Sequence, residues 1–176
     1  MELQKTISKF LSLWLGVNAL GWAFYSATKI LSFWNFGITI SIGFCLGFFQ
    51  WLVLKKFFRV ESSWMWVSAI AYGILLTLLI LLPIENLKSY ILLFFFSLMI
   101  LGFLQRSVLE YYLNGASIWV LSSPIAGVMG LISMLGIQSL TGNSSFLEWA
   151  IFGLVYGVIT GGALSFMSTI TPSGKV

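Results

Sequence analysis

The fold class this sequence predicts is an all-α integral membrane protein of six transmembrane helices, arranged as three two-helix hairpin repeats with both termini cytoplasmic. Three observations predict it. The 176-residue chain is 59% hydrophobic and only 8% charged, whereas soluble domains carry about 25% charged residues. Its apolar residues fall into six runs, each near the ~20 residues a helix needs to cross a bilayer. A stretch in the first half of the chain also recurs in the second half.

The runs place spans at about 11–33, 36–58, 64–84, 89–113, 117–140 and 146–167, making residues 1–176 one transmembrane domain. The breaks between them are short. Trp34-Asn35 parts the first two, and Lys55-Lys56 with Arg59-Val60-Glu61-Ser62-Ser63 follows the second. Pro83 with Glu85-Asn86 ends the third span, Asn114-Gly115 the fourth, and Thr141-Gly142-Asn143-Ser144-Ser145 precedes the sixth. Loops this short make consecutive helices antiparallel neighbours. Lys5 and Lys9 precede the first run as in a signal peptide, but that run is long and its small-residue exit is spoiled by Tyr25. An uncleaved first helix is expected, led into either by an interfacial helix with Leu3, Ile7 and Phe10 on one face or by a frayed polar tail.

Orientation follows from the basic residues, because Lys and Arg accumulate on the cytoplasmic side. Lys5, Lys9, Lys55, Lys56, Arg59, Arg106 and Lys175 lie on the side holding both termini, against Lys29 and Lys88 opposite. The net charge of +4 is therefore a topology signal and not a nucleic-acid footprint. The expected location is the cell (inner) membrane, with both termini cytoplasmic.

Residues 46–71 and 101–126 are identical at 11 of 26 positions without a gap. The shared residues include Gly47/Gly102, Gln50/Gln105, Trp64/Trp119 and Ser68/Ser123, which apolar composition alone does not make coincide. Trp14 and Asn18 extend the pattern to the first span, and Gly157 and Thr160 extend it to the sixth. Two-span repeats keep one topology, so a quasi-three-fold axis along the membrane normal is expected. Inverted transporter repeats need an odd number of spans per copy.

Small residues four apart let helices approach closely in lipid. Ala19, Ala23 and Ala27 form such a stripe, as do Gly43 and Gly47, and Gly153, Gly157 and Gly161. Their expected role is packing within the chain or docking to another membrane chain. Pro124 is expected in the first turns of its helix, where a missing amide costs little. Trp14, Trp64 and Trp119 have the amphipathic chemistry of interfacial anchors. Trp22, Trp34, Trp66 and Trp149 are candidates for a flat-ring pocket, with Trp34 and Trp149 also explained as belt residues.

One turn in from the three tryptophans, about 6 Å, come Asn18, Ser68 and Ser123, and the even spans bring Gln50, Gln105 and Thr160 to a similar depth. These six are expected to form a polar ring. Amides unpaired in hydrocarbon cost several kcal/mol, so the ring reads either as interhelical glue or as a binding site. Arg106 and Glu110, four apart, are expected to pair, with Arg106 snorkelling to the surface.

Catalysis is not expected. The chain has no His and its five acids are all Glu, so an imidazole base and an aspartyl nucleophile are missing. Cys45 is a lone thiol in an apolar run. No phosphate-binding glycine loop occurs, and no cofactor or metal site is expected. Accessory subunit and small-molecule carrier are the two classes left, with lipid and other membrane chains as partners and a small-molecule ligand as the alternative.

Two resemblances bear on this. Six spans, short loops and the Ala19-x-x-x-Ala23-x-x-x-Ala27 stripe resemble the substrate-capture subunits of energy-coupling-factor vitamin transporters, which implies a docking role for that stripe. The repeated Gly-x-x-Gln-(Trp)-x-Val-Leu signature at Gly47–Leu54 and Gly102–Leu109 resembles that of uncharacterised small polytopic bacterial membrane proteins, cyanobacterial ones among them. That likeness implies no particular activity.

Overall fold

The computed structural model describes residues 2–32, 36–81, 86–141 and 145–171. They form six helices: α1 (Glu2–Ser32), α2 (Phe36–Phe58), α3 (Ser63–Leu81), α4 (Leu87–Leu109), α5 (Ser117–Thr141) and α6 (Ser145–Thr169). Three segments, Lys88–Leu109, Ser117–Leu140 and Phe146–Thr169, are long and apolar enough to cross a bilayer. The outer faces carry large apolar side chains, among them Leu20 at 70% exposure, Trp66, Phe103 and Leu121. A surface of this kind is stable against lipid, not water. The chain is an all-helical membrane protein.

Each helix packs on its sequence neighbours, and α6 closes on α1 to complete a ring. The closest approaches run through glycines. A Cβ on Gly43 would meet Tyr72 Cβ at 2.8 Å and one on Gly47 would meet Ser68 Cβ at 2.7 Å, joining α2 to α3. A Cβ on Gly102 would meet Trp119 O at 3.2 Å, joining α4 to α5. Gly153 abuts the backbone of Asn18 and Ala19, while Gly157 and Gly161 continue the seam along Leu15, Asn18 and Trp14. Each even helix thus presses its glycines on the odd helix that follows, with α6 followed by α1. Ala19 belongs to this seam and Ala23 is buried. The Ala27 side chain lies outside the described residues.

The start of α1 and the ends of the even helices share one end of the ring, called proximal below. There the α2–α3 turn places Arg59 at φ 55°, a left-handed conformation that costs an L-residue roughly 1–2 kcal/mol. Trp51 Nε1 donates to Val60 O at 3.0 Å and ties the turn to α2. The α4–α5 turn uses Gly115 at φ 73°, and the Asn114 amide donates to Thr171 Oγ1 at 2.8 Å, joining that turn to the end of α6. At the distal end Asn86 caps α4, accepting from the Ser89 amide at 2.9 Å.

Several expectations are corrected here. The first ten residues do not form a separate interfacial helix. α1 runs unbroken from Glu2 and buries Phe10, because the polar residues of its first turns are adequate helix formers. Its 31 residues reach about 46 Å. Pro124 lies inside α5, seven residues after its start, so an interior backbone bond is lost. α4 stops at Leu109, and Tyr111–Leu113 turn back instead of extending it.

Candidate functional site

Trp14, Trp64 and Trp119 do not form an interfacial belt. They converge inside the ring at 0%, 0% and 1% exposure. The Trp119 ring meets Trp14 edge-on at 6.3 Å and Trp64 edge-on at 5.6 Å, centroid to centroid. These contacts cross the interior from α5 to α1 and α3, so the axis is filled by indoles. Phe10, Phe58, Leu109, Leu113 and Leu164 pack around them at the proximal end. Two of the three indoles find a polar acceptor inside, Trp14 on Thr160 and Trp119 on Gln105, and in hydrocarbon an unpaired N–H is costly.

All six polar residues read from the sequence are buried, and most are directly bonded. On α5 and α4, Trp119 Nε1 donates to Gln105 Oε1 at 2.9 Å, and Gln105 Nε2 donates to Ser68 Oγ on α3 at 2.8 Å. On α1 and α6, Trp14 Nε1 donates to Thr160 Oγ1 at 3.0 Å. On α2, Gln50 Nε2 donates to Asn18 Oδ1 at 2.9 Å, and Asn18 Nδ2 donates to Trp14 O at 2.8 Å. Ser123 Oγ and Tyr156 OH share a bond of 3.0 Å, and Thr160 Oγ1 donates to Tyr156 O at 2.7 Å. The result is a belt of neutral donors and acceptors linking α1 to α2, α3 to α4 to α5, α5 to α6 and α6 to α1.

One joint is not made. The bond from Trp119 to Gln105 and the bond from Trp14 to Thr160 each join an odd helix to the even helix before it. At the corresponding α3–α2 joint, Trp64 Nε1 and Gln50 Oε1 are both buried without a hydrogen-bond partner. The Tyr72 hydroxyl lies beside Gln50 and Tyr156 and also completes no hydrogen bond.

Sequence reading missed Tyr72 and Tyr156. Tyr72 is one turn beyond Ser68 and Tyr156 one turn before Thr160, each on its polar neighbour's stripe, and that spacing was the available signal. Distal to the belt, Trp22, Tyr72, Phe94, Trp149, Phe152 and Tyr156 form a second buried cluster. Trp22 stacks on Trp149 at 5.7 Å, and Tyr25 meets Trp149 edge-on at 4.8 Å. Trp149 is therefore a core residue and not a belt residue, and the two rings fill the space between them. Trp66 is exposed on the outer face, and Trp34 lies outside the described residues.

Glu148 is a further residue that sequence reading passed over. It is 6% exposed, and its Oε1 has no partner. It sits in the first turn of α6, where free amides and the positive end of the helix dipole favour a carboxylate. Arg106 Nε and Glu110 Oε2 pair at 3.4 Å on the surface of α4. Among the described residues no group of three Cys or Glu is placed to hold a metal. Cys45 lines an apolar recess of about 530 Å³ between α1 and α2, with Leu20, Phe24, Leu46 and Phe49.

Comparison with protein-family models, curated proteins and solved structures finds no match.

Proposed function

We propose that this chain is a non-enzymatic, six-span protein of the bacterial inner membrane, built from three hairpin repeats with both termini cytoplasmic, and that it serves as an accessory or scaffold subunit of a membrane complex. One observation carries the reading. The polar groups that face the axis are bonded largely to one another, and the space they surround is filled by Trp14, Trp64 and Trp119. The belt then acts as glue that fixes helix register, and the outer apolar faces are the surface left for partners. The residue types support a non-enzymatic role, since the chain lacks His and its acids are five Glu. The Gly-x-x-Gln signature supports the bacterial affiliation.

A second reading, a small-molecule binding or transport subunit, is favoured by the unbonded atoms of Gln50, Trp64 and Tyr72. Native mass spectrometry of the protein extracted in mild detergent from its own membrane separates the two. Stoichiometric partner chains without a ligand are expected. A bound molecule of defined mass, lost in Gln50→Leu with Gln105→Leu, overturns the accessory reading in favour of capture or transport.

A further inference from the structure

Beside the α2–α3 turn lies a recess of about 420 Å³ lined by Trp51, Lys55, Arg59, Val60, Glu61 and Ser62. Its chemistry is that of an anion site. Lys55 and Arg59 are both exposed, and neither forms an ion pair, the one such pair among the described residues being Arg106–Glu110. Glu61, the one acid on the wall, also lines the neighbouring recess, where it lies beside the Tyr112 hydroxyl. Ser62 adds a hydroxyl, and α3 begins one residue later, its Trp64 and Met65 amides bonded to Glu61 O and Ser62 O of the turn.

The recess is also held in shape. Lys55 Nζ sits over the Trp51 ring at 4.9 Å, while the Trp51 indole N–H donates to Val60 O. Arg59 occupies a backbone position where glycine is the unstrained residue. An arginine there puts its guanidinium at the rim at the expense of local stability, and strain of this sort points to a task for the side chain.

We propose that this recess binds the phosphate-bearing headgroup of an anionic phospholipid, Lys55 and Arg59 taking the charge while Trp51 packs at the glycerol level. The proposal rests on the orientation given above only for which leaflet supplies the lipid. The binding itself is tested in detergent, where orientation plays no part.

The test is native mass spectrometry of the purified protein with added phosphatidylglycerol or phosphatidylcholine. Phosphatidylglycerol should remain bound at collision energies that strip phosphatidylcholine. Lys55→Gln with Arg59→Gln should weaken the apparent affinity for phosphatidylglycerol by about thirtyfold, the factor two surface cations contribute toward an anionic lipid. Lys56→Gln, on the same helix end but outside the recess, should leave it unchanged. Arg59→Gly should raise the melting temperature while lowering lipid retention. Equal retention of the two lipids, an equal loss in Lys56→Gln, or full retention in Arg59→Gly would each overturn the proposal. So would saturable binding of inorganic phosphate that is lost in Lys55→Gln with Arg59→Gln while phosphatidylglycerol retention is not, which would assign the recess to a soluble anion.

Discussion

Gln105 and Gln50 occupy aligned positions, yet they carry different loads. Gln105 accepts from Trp119 and donates to Ser68, whereas Gln50 makes one bond, to Asn18, and keeps an unpaired oxygen. Interhelical hydrogen bonds in membranes average about 0.6 kcal/mol each, and an indole left unpaired in the interior adds about 1–3 kcal/mol. Gln105→Leu should therefore destabilise the bundle by about 1–2 kcal/mol more than Gln50→Leu, read from thermal or denaturant unfolding in detergent. Equal losses would mean that the α2–α3 joint is bonded after all. The six polar residues were legible in the sequence because each interrupts an apolar run. Tyr72 and Tyr156 were not, since tyrosine counts as apolar in such a run and shows its hydroxyl only in three dimensions. The direction of Trp14, Trp64 and Trp119 was hidden for a related reason. A belt indole and an axial indole have the same chemistry, and only the partner on the adjacent helix decides between them.

At the scale of the helix, the glycine stripes tell which neighbour each element presses hardest. The stripes were visible in the sequence, but their partners were not. Gly153 could as well have met another chain as the backbone of Asn18. A methyl group there has rigid backbone to displace, so Gly153→Ala should cost about 1–3 kcal/mol. Gly162, on the same helix, faces open space, and Gly162→Ala should be neutral or stabilise by up to about 1 kcal/mol. A thermal-unfolding comparison of the two variants checks the seam, and a neutral Gly153→Ala would place α6 elsewhere. Helix ends were less legible than helix faces. Tyr111, Tyr112 and Leu113 prolong the apolar run past Leu109 because Leu113 is buried under the turn, and hydropathy responds to burial, not to where the backbone ladder stops.

At the scale of the molecule, the ring and the charge bias bear on each other. If α1 closes on α6 and α6 crosses the bilayer, α1 lies at the same depth, since Trp14 meets Thr160 and Asn18 meets Gly153 across that seam. The same step passes from α1 to α2 through the Gln50–Asn18 bond and from α2 to α3 through Gly43 and Gly47. Under the six-span proposal all of these seams lie within the bilayer. The prediction is a labelling pattern. With Cys45, the only cysteine, replaced by alanine, Ser62→Cys should react with a membrane-impermeant maleimide only from the cytoplasmic side. Asn35→Cys and Ser144→Cys should react only from the opposite side. Asn35→Cys and Ser62→Cys labelling from one face would mean that α2 does not cross and that the belt bond between α1 and α2 forms outside the hydrocarbon. All three positions reacting with inverted sidedness would keep the six spans and reverse the orientation read from Lys and Arg, placing the Lys55–Arg59 recess in the other leaflet.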